Sequence, residues 1–257
     1  MPYTRLRTRS VRRFLVAPAA DAASLRGSSR AAASTRNFSP EQTLAAQDAR
    51  VAILARIGRP AAELPPGIRF THVAFAVYSE LTTEDGRSQF GYAIHNLYQV
   101  KNVPDKSELV QDFPVDFFAE VVELEAGIIV PSVELQQQLH KVIASPDYAS
   151  LHESDYSVIA NPYNQGRQNC TEFVLDVVSA AIYQTTDPEV LKANIQAHFE
   201  PHKIDISPLK LKLGSMLVKE VSLADHNGTP VTTTFESIGR YLQKLDQGSV
   251  MLTVKPD

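Results

Sequence analysis

Two β-forming runs close together in the chain constrain its fold most. RFTHVAFAVY, residues 69–78, and QFGYAIHNLYQV, residues 89–100, flank the polar stretch SELTTEDGRS. Both are rich in β-branched and aromatic residues, and together they predict two antiparallel strands with a long connection. In the first run His72 shares a face with Ala74, Ala76 and Tyr78, while Val73, Phe75 and Val77 point the other way. In the second, His95 sits between apolar neighbours Ile94 and Leu97.

Further elements follow from local signals. SPEQTLAAQDARVAILARIG, residues 39–58, has Ser39 as N-cap, Pro40 at the first helical position and Gly58 as a stop, and predicts a helix. FPVDFFAEV predicts a short helix or buried loop, EAGIIVPS a strand, SVELQQQLHKVIAS a helix and DYSVIANP another strand. A helix is expected from about Asn169 to Gln184, and another from Asp187-Pro188 to about Phe199. The C-terminal part predicts a strand at SMLVKEVSL, a turn at DHNG, a helix in TFESIGRYLQKL and a last strand, SVMLTV. The class is α+β, a mainly antiparallel sheet with packed helices.

Charge divides the chain. Residues 1–38 carry eight arginines against Asp21 alone, whereas the remainder holds 17 basic and 28 acidic residues. Residues 1–38 read as a disordered basic arm or the remnant of a targeting segment, and 39–257 as a single domain. VRRFLVAPAA has the charge-then-apolar order of an export signal, but Pro18 and Asp21 cut its apolar core short. A mildly acidic globular part is not a nucleic-acid-binding face. Nothing approaches the roughly 18 apolar residues of a transmembrane helix.

Cys170 is the single cysteine, which excludes an internal disulfide and any cysteine-rich metal cluster. His198 and His202 are four apart, but Pro201 breaks a helix between them and no third ligand is evident, so neither metal nor cofactor is expected. Cys170 lies in the first turn of its helix, before Phe173 and Val174 of the apolar face. Unpaired N–H groups and the helix dipole favour a thiolate there. Two readings stand: an inert thiol on the edge of the core, or a nucleophile served by a histidine held on a strand.

HVAFAVY…QFGYAIHN and NCTEFVLDVV resemble the paired-strand segment and cysteine-helix start of NlpC-type cell-wall peptidases and lecithin:retinol acyltransferase-like proteins. The order His72, His95, Cys170 is that of the circularly permuted papain-like branch. HVAFAV, LEAGIIVP, SDYSVIANPYNQGRQN and FESIGRYL resemble, more narrowly, an uncharacterised bacterial family, a domain of unknown function whose members usually carry an export signal. The resemblance implies Cys170 as nucleophile, His72 as general base and His95 as the group that orients it. It also implies a peptidoglycan peptide or lipid acyl substrate and a periplasmic or secreted location. Tyr163 and Gln168 are expected near the pocket, with Gln168 a candidate oxyanion donor. The competing expectation is a binding or structural module that keeps the fold without turnover.

Overall fold

The computed structural model describes residues 38–82, 86–119, 121–205 and 221–256. The basic arm (all but Phe38), Glu84 and Asp85 of the 79–88 loop, and most of the SMLVKEVSL strand expectation lie outside the described residues.

The fold is α+β. In chain order the elements are α1 (Pro40–Ala46), β1 (Val51–Ile57), β2 (His72–Thr82), β3 (Ser88–Val100), β4 (Val103–Asp112), α2 (Pro114–Phe117) and β5 (Glu123–Val130). There follow α3 (Val133–Ile143), α4 (Pro146–Ser150), α5 (Cys170–Tyr183), α6 (Pro188–His198), β6 (His202–Lys203), β7 (Val231–Thr232), α7 (Phe235–Leu245) and β8 (Val250–Val254). Strands β4-β3-β2-β1-β5-β8, in that order, form a six-stranded sheet in which every pair is antiparallel. The strands β6 and β7 make a separate two-stranded ribbon.

β1 corrects the longest helix expectation. Ser39 does cap a helix, accepting from the Gln42 N–H, but that helix ends at Ala46, and Asp48 takes a left-handed backbone with φ 47. VAILARI then enters the middle of the sheet, with Val51, Ile53, Ala55 and Ile57 on one face and Ala52 and Leu54 on the other. A strand buried on both faces is apolar throughout, and a short continuous run of that kind has no period that separates strand from helix. DYSVIANP forms no strand: Lys106↔Asp155 and Tyr156↔Gln168 are isolated bridges, and turns follow.

Two apolar layers flank the sheet. The thicker one joins Val73, Phe75, Leu97 and Ile129 to Leu139 of α3, Phe173 and Val177 of α5, Ile195 of α6 and Phe235 and Ile238 of α7. The thinner one uses Ala52, Ala74, Ala76, Ile94 and Ile128 under Leu44 of α1 and Phe117 of α2. α5 is buried on every side from Cys170 to Ala181, so it is the central helix rather than an amphipathic surface helix.

One polar side chain anchors the first sheet strand. Gln136 of α3, itself buried, accepts from the N–H groups of Arg50 (2.7 Å) and Val51 (3.1 Å) and donates to the Pro131 carbonyl (2.8 Å). Buried backbone N–H groups left unpaired cost about 1–3 kcal/mol each. Gln136→Leu, close in volume, is therefore expected to lower unfolding stability by at least about 2 kcal/mol. Urea denaturation checks this, and a loss below about 0.5 kcal/mol contradicts it.

Candidate active site

Antiparallel pairing of β1, β2 and β3 decides which side chains meet at the start of β2. Arg56 stands opposite His72 on β1, and the β2–β3 register sets Phe75 against His95 and Ala76 against Ile94. Alternation then puts His72, Asn96 and Tyr98 on the thin-layer face, and His95 on the α5 face with Phe75. His72 Nε2 lies 3.0 Å from Asn96 Oδ1. The His72 ring stacks on Tyr98 at 4.7 Å and 7°, with Phe117 at 5.5 Å. Asn96, fully buried, donates through Nδ2 to Asp112 Oδ1 (2.8 Å) and the Ile94 carbonyl (3.3 Å). Tyr98 Oη donates to the other oxygen of Asp112 (3.1 Å).

These bonds settle the imidazole's tautomer. With Nδ2 of Asn96 committed to a carboxylate and a carbonyl, Oδ1 is what faces the ring, so His72 Nε2 carries the proton. Nδ1 is left as the lone-pair nitrogen. Burial, with a smaller push from Arg56, drives the His72 pKa down to about 3 despite the Asn96 bond, so the ring is neutral at pH 7.

Cys170 approaches from the other layer. Asn169 caps α5, its Oδ1 accepting from Glu172 N at 2.9 Å, and fixes the cysteine in the first turn. The backbone N–H groups of Val73, Thr171 and Cys170 itself act on the thiol. Val73 follows His72 directly, but the two side chains leave β2 on opposite faces, so the sulfur shares the thicker layer with Val73 while the imidazole lies in the thinner one. Arg56 acts on both groups. Among the described residues no side-chain hydrogen bond joins the thiol to His72. The thiol is 7% exposed, and burial pushes it above its ordinary value, the backbone N–H groups and Arg56 only partly opposing this. The thiolate expected at a helix N-terminus is thus outweighed by desolvation, and the resting pair is neutral on both sides.

The remaining expected site residues lie elsewhere. His95 sits edge-on to Tyr148 at 5.9 Å and has no hydrogen bond to His72; the place expected for it behind the imidazole is taken by Asn96. Gln168, fully buried, has both ends of its carboxamide committed: Oε1 accepts from Glu153 N (3.0 Å), and Nε2 donates to Leu151 O (3.1 Å) and Asp176 Oδ2 (2.8 Å). It braces the loop before α5 and leaves no donor for an oxyanion. Tyr163 Oη donates to the Phe199 carbonyl at 3.0 Å, tying that loop to the end of α6. Asn96, Asp112 and Tyr98 were missed by sequence reasoning. The missed signal was parity: counting strand alternation across the β2–β3 pair selects Asn96 over His95 once the register is known.

Other polar groups are structural. Lys192 of α6 bonds Glu172 (2.8 Å) and Asp176 (2.9 Å) beneath the start of α5. His198 stacks on Tyr183, and His202 Nε2 meets the Pro66 carbonyl at 3.0 Å. Among the described residues no three His, Cys, Asp or Glu side chains gather as metal ligands. A cleft of about 500 Å³, lined by Gln138, Lys141, Val142, Asp147, Ala181 and Gln184, opens toward the C-terminal end of α5. At 1.5 Å rise per residue that is roughly 15 Å or more from Cys170.

Burial lowers the His95 pKa to about 4. The unfolded chain, with an ordinary value near 6.5, therefore binds a proton that the fold excludes, and His95 weakens the fold as pH falls through that interval. His95→Phe is expected to lose less stability than the parent between pH 6.5 and 4.5, by up to about 1.4 kcal/mol per pH unit. Denaturant midpoints measured across that range check it, and parallel curves contradict it.

The chain matches, over residues 43–242, the model of a family described as an uncharacterized protein conserved in bacteria (DUF2145). No curated protein matches. Among solved structures the chain is similar to the crystal structure of metalloprotein yiiX from Escherichia coli O157:H7, described as DUF1105, at 13% identity and a TM-score of 0.46. That likeness spans 81% of this chain and 98% of the other, and carries no argument at that score. Among the described residues no helix is long and apolar enough to cross a membrane. The match over residues 43–242 makes the chain a member of the DUF2145 family of proteins conserved in bacteria.

Proposed function

We propose that the chain is a cysteine-dependent acyl-transfer enzyme, a hydrolase or acyltransferase of circularly permuted papain-like architecture. Cys170 is the nucleophile, His72 the general base and Asn96 the group that orients it. The observation that carries this reading is that the start of α5 lies on the backbone of β2 at Val73, the residue after an imidazole tied through Nε2 to a carboxamide. Such a base presents Nδ1 as the only ring nitrogen open to a thiol.

The chemistry follows from a neutral pair. As sulfur attacks the acyl carbon, His72 Nδ1 takes the thiol proton, and the carbonyl π electrons move to oxygen. The N–H groups of Cys170 and Thr171, which act on the resting thiol, would turn to that oxygen, that of Glu172 being taken by Asn169. The imidazolium returns its proton to the leaving amine or alcohol as the carbon–heteroatom bond breaks, leaving a thioester on Cys170. Water or another acceptor, deprotonated by His72, then releases the acyl group and restores the thiol. Contacts of this kind are often long in the free enzyme and shorten with substrate bound. The family resemblance implies a peptidoglycan peptide amide or a lipid acyl ester as donor, and a cell-envelope location.

The second reading, a binding or structural module without turnover, is favoured by two observations: the thiol is nearly closed off, and the large cleft lies at the far end of α5.

Incubation of the purified chain with peptidoglycan fragments and with phospholipid vesicles, followed by intact mass spectrometry, separates them. The enzyme reading expects an acyl adduct on Cys170 and product release, both abolished by Cys170→Ala. Turnover is expected to fall by about 10²–10⁴-fold in His72→Ala. No adduct and no product, with either ligand still shielding Cys170 from iodoacetamide, is the result expected of the silent module.

A further inference from the structure

We propose that Asp112 is a positioning residue for this site: by accepting the side-chain N–H of Asn96 it holds that carboxamide with Oδ1 toward His72, and so keeps Nδ1 of the imidazole free as a base. The inference rests on the reading in which His72 serves Cys170.

Asp112 is the last residue of β4 and stands directly opposite Ile94 on β3. Asn96, two residues along the same face, is its diagonal neighbour. Rotating the Asn96 amide by half a turn would set Oδ1 against the Asp112 carboxylate and the Ile94 carbonyl, an acceptor against two acceptors in a buried site. It would also turn an N–H toward His72 Nε2, which drives the ring proton to Nδ1 and removes the base. The Ile94 contact alone is long, at 3.3 Å; the Asp112 contact at 2.8 Å is the firmer one.

Tyr98 closes the circuit, since its hydroxyl donates to Asp112 while its ring stacks on His72. His72, Asn96, Asp112 and Tyr98 thus form a closed ring of contacts drawn from three adjacent strands. The groups that face Asp112 are Asn96 and Tyr98 from β3, Asp116 from α2 and Arg56 from β1. Burial raises its pKa to about 6, helped by Asp116, with Tyr98, Asn96 and Arg56 pulling the other way. His72 stays neutral down to about 3. The hold on Asn96 therefore weakens near pH 6, where a protonated Asp112 is a poorer acceptor, long before the imidazole itself takes a proton.

The test is a long-range nitrogen–hydrogen NMR correlation on the full chain labelled with ¹⁵N-histidine, which reads the His72 tautomer without any substrate. At pH 7.5 the parent is expected to show His72 protonated at Nε2, and Asp112→Ala a mixture of the two tautomers. As the parent is taken from pH 7.5 to 5, the His72 nitrogens are expected to respond with a midpoint near 6. Asp112→Asn, which still offers an acceptor oxygen, is expected to keep the Nε2–H form and lose that transition. Should Asp112→Ala fail to fold, the comparison of parent with Asp112→Asn decides. An unchanged tautomer in Asp112→Ala, or a parent flat across that pH range, overturns the proposal. A tautomer response without any acyl adduct on Cys170 upholds the positioning role and removes the acyl-transfer reading instead. Where turnover is measured, Asp112→Ala is expected to lower kcat by tenfold or more with KM little changed.

Discussion

The site depends on the burial of one helix against one strand. α5 is enclosed on every side from its first residue, and its first turn abuts the backbone at the start of β2. That packing brings the Cys170 end of the helix to the strand that carries His72, across about a hundred residues of chain, with the thiol in the thicker layer and the imidazole on the opposite face of the strand. The apolar contacts of Phe173, Val177 and Val178 against the sheet fix the position of Cys170; Asn169, capping the helix, fixes its rotation. Both groups are delivered by regular elements rather than by loops, which suits a site that must hold its geometry within fractions of an ångström.

The same burial sets the electrostatics. It lifts the thiol and lowers the imidazole, so no ion pair is stored in the resting site. A helix N-terminus ordinarily favours a thiolate, but its first-turn donors offset only part of the desolvation of a sulfur in an apolar layer. What the surroundings supply in place of stored charge is orientation: a carboxamide, a carboxylate and a phenol hold one ring in one tautomer. In the proposed reaction, sulfur and base are activated only when a carbonyl carbon gives the electron pair somewhere to go.

Much of this was legible in the sequence, for reasons that differ by residue. The alternation in HVAFAVY correctly set His72 apart from Val73 and Phe75, because one face of β2 is lined with alanines and the other with large apolar side chains. The cysteine helix was legible from its cap and its spacing. VAILARI was not, because a strand buried on both faces carries no period, and the break before it is a left-handed Asp48 rather than a glycine. Asn96 lost its place to His95 because register across the 79–88 loop is a tertiary property, and a shift of one residue exchanges the two faces. Gln168 looked like a free loop amide; its partners, Leu151, Glu153 and Asp176, are brought in only by the packing of α5 and the loop before it.

The proposed function makes one central claim, which is spatial: that the Cys170 sulfur and the His72 imidazole meet. The most direct measurement is alkylation of the intact protein with 1,3-dibromoacetone, whose two reactive carbons bridge only adjacent nucleophiles, followed by peptide mapping. The account predicts a single cross-link joining the Cys170 peptide to the His72 peptide. A bridge from Cys170 to His95, or a Cys170 alkylated once with no partner, would contradict it.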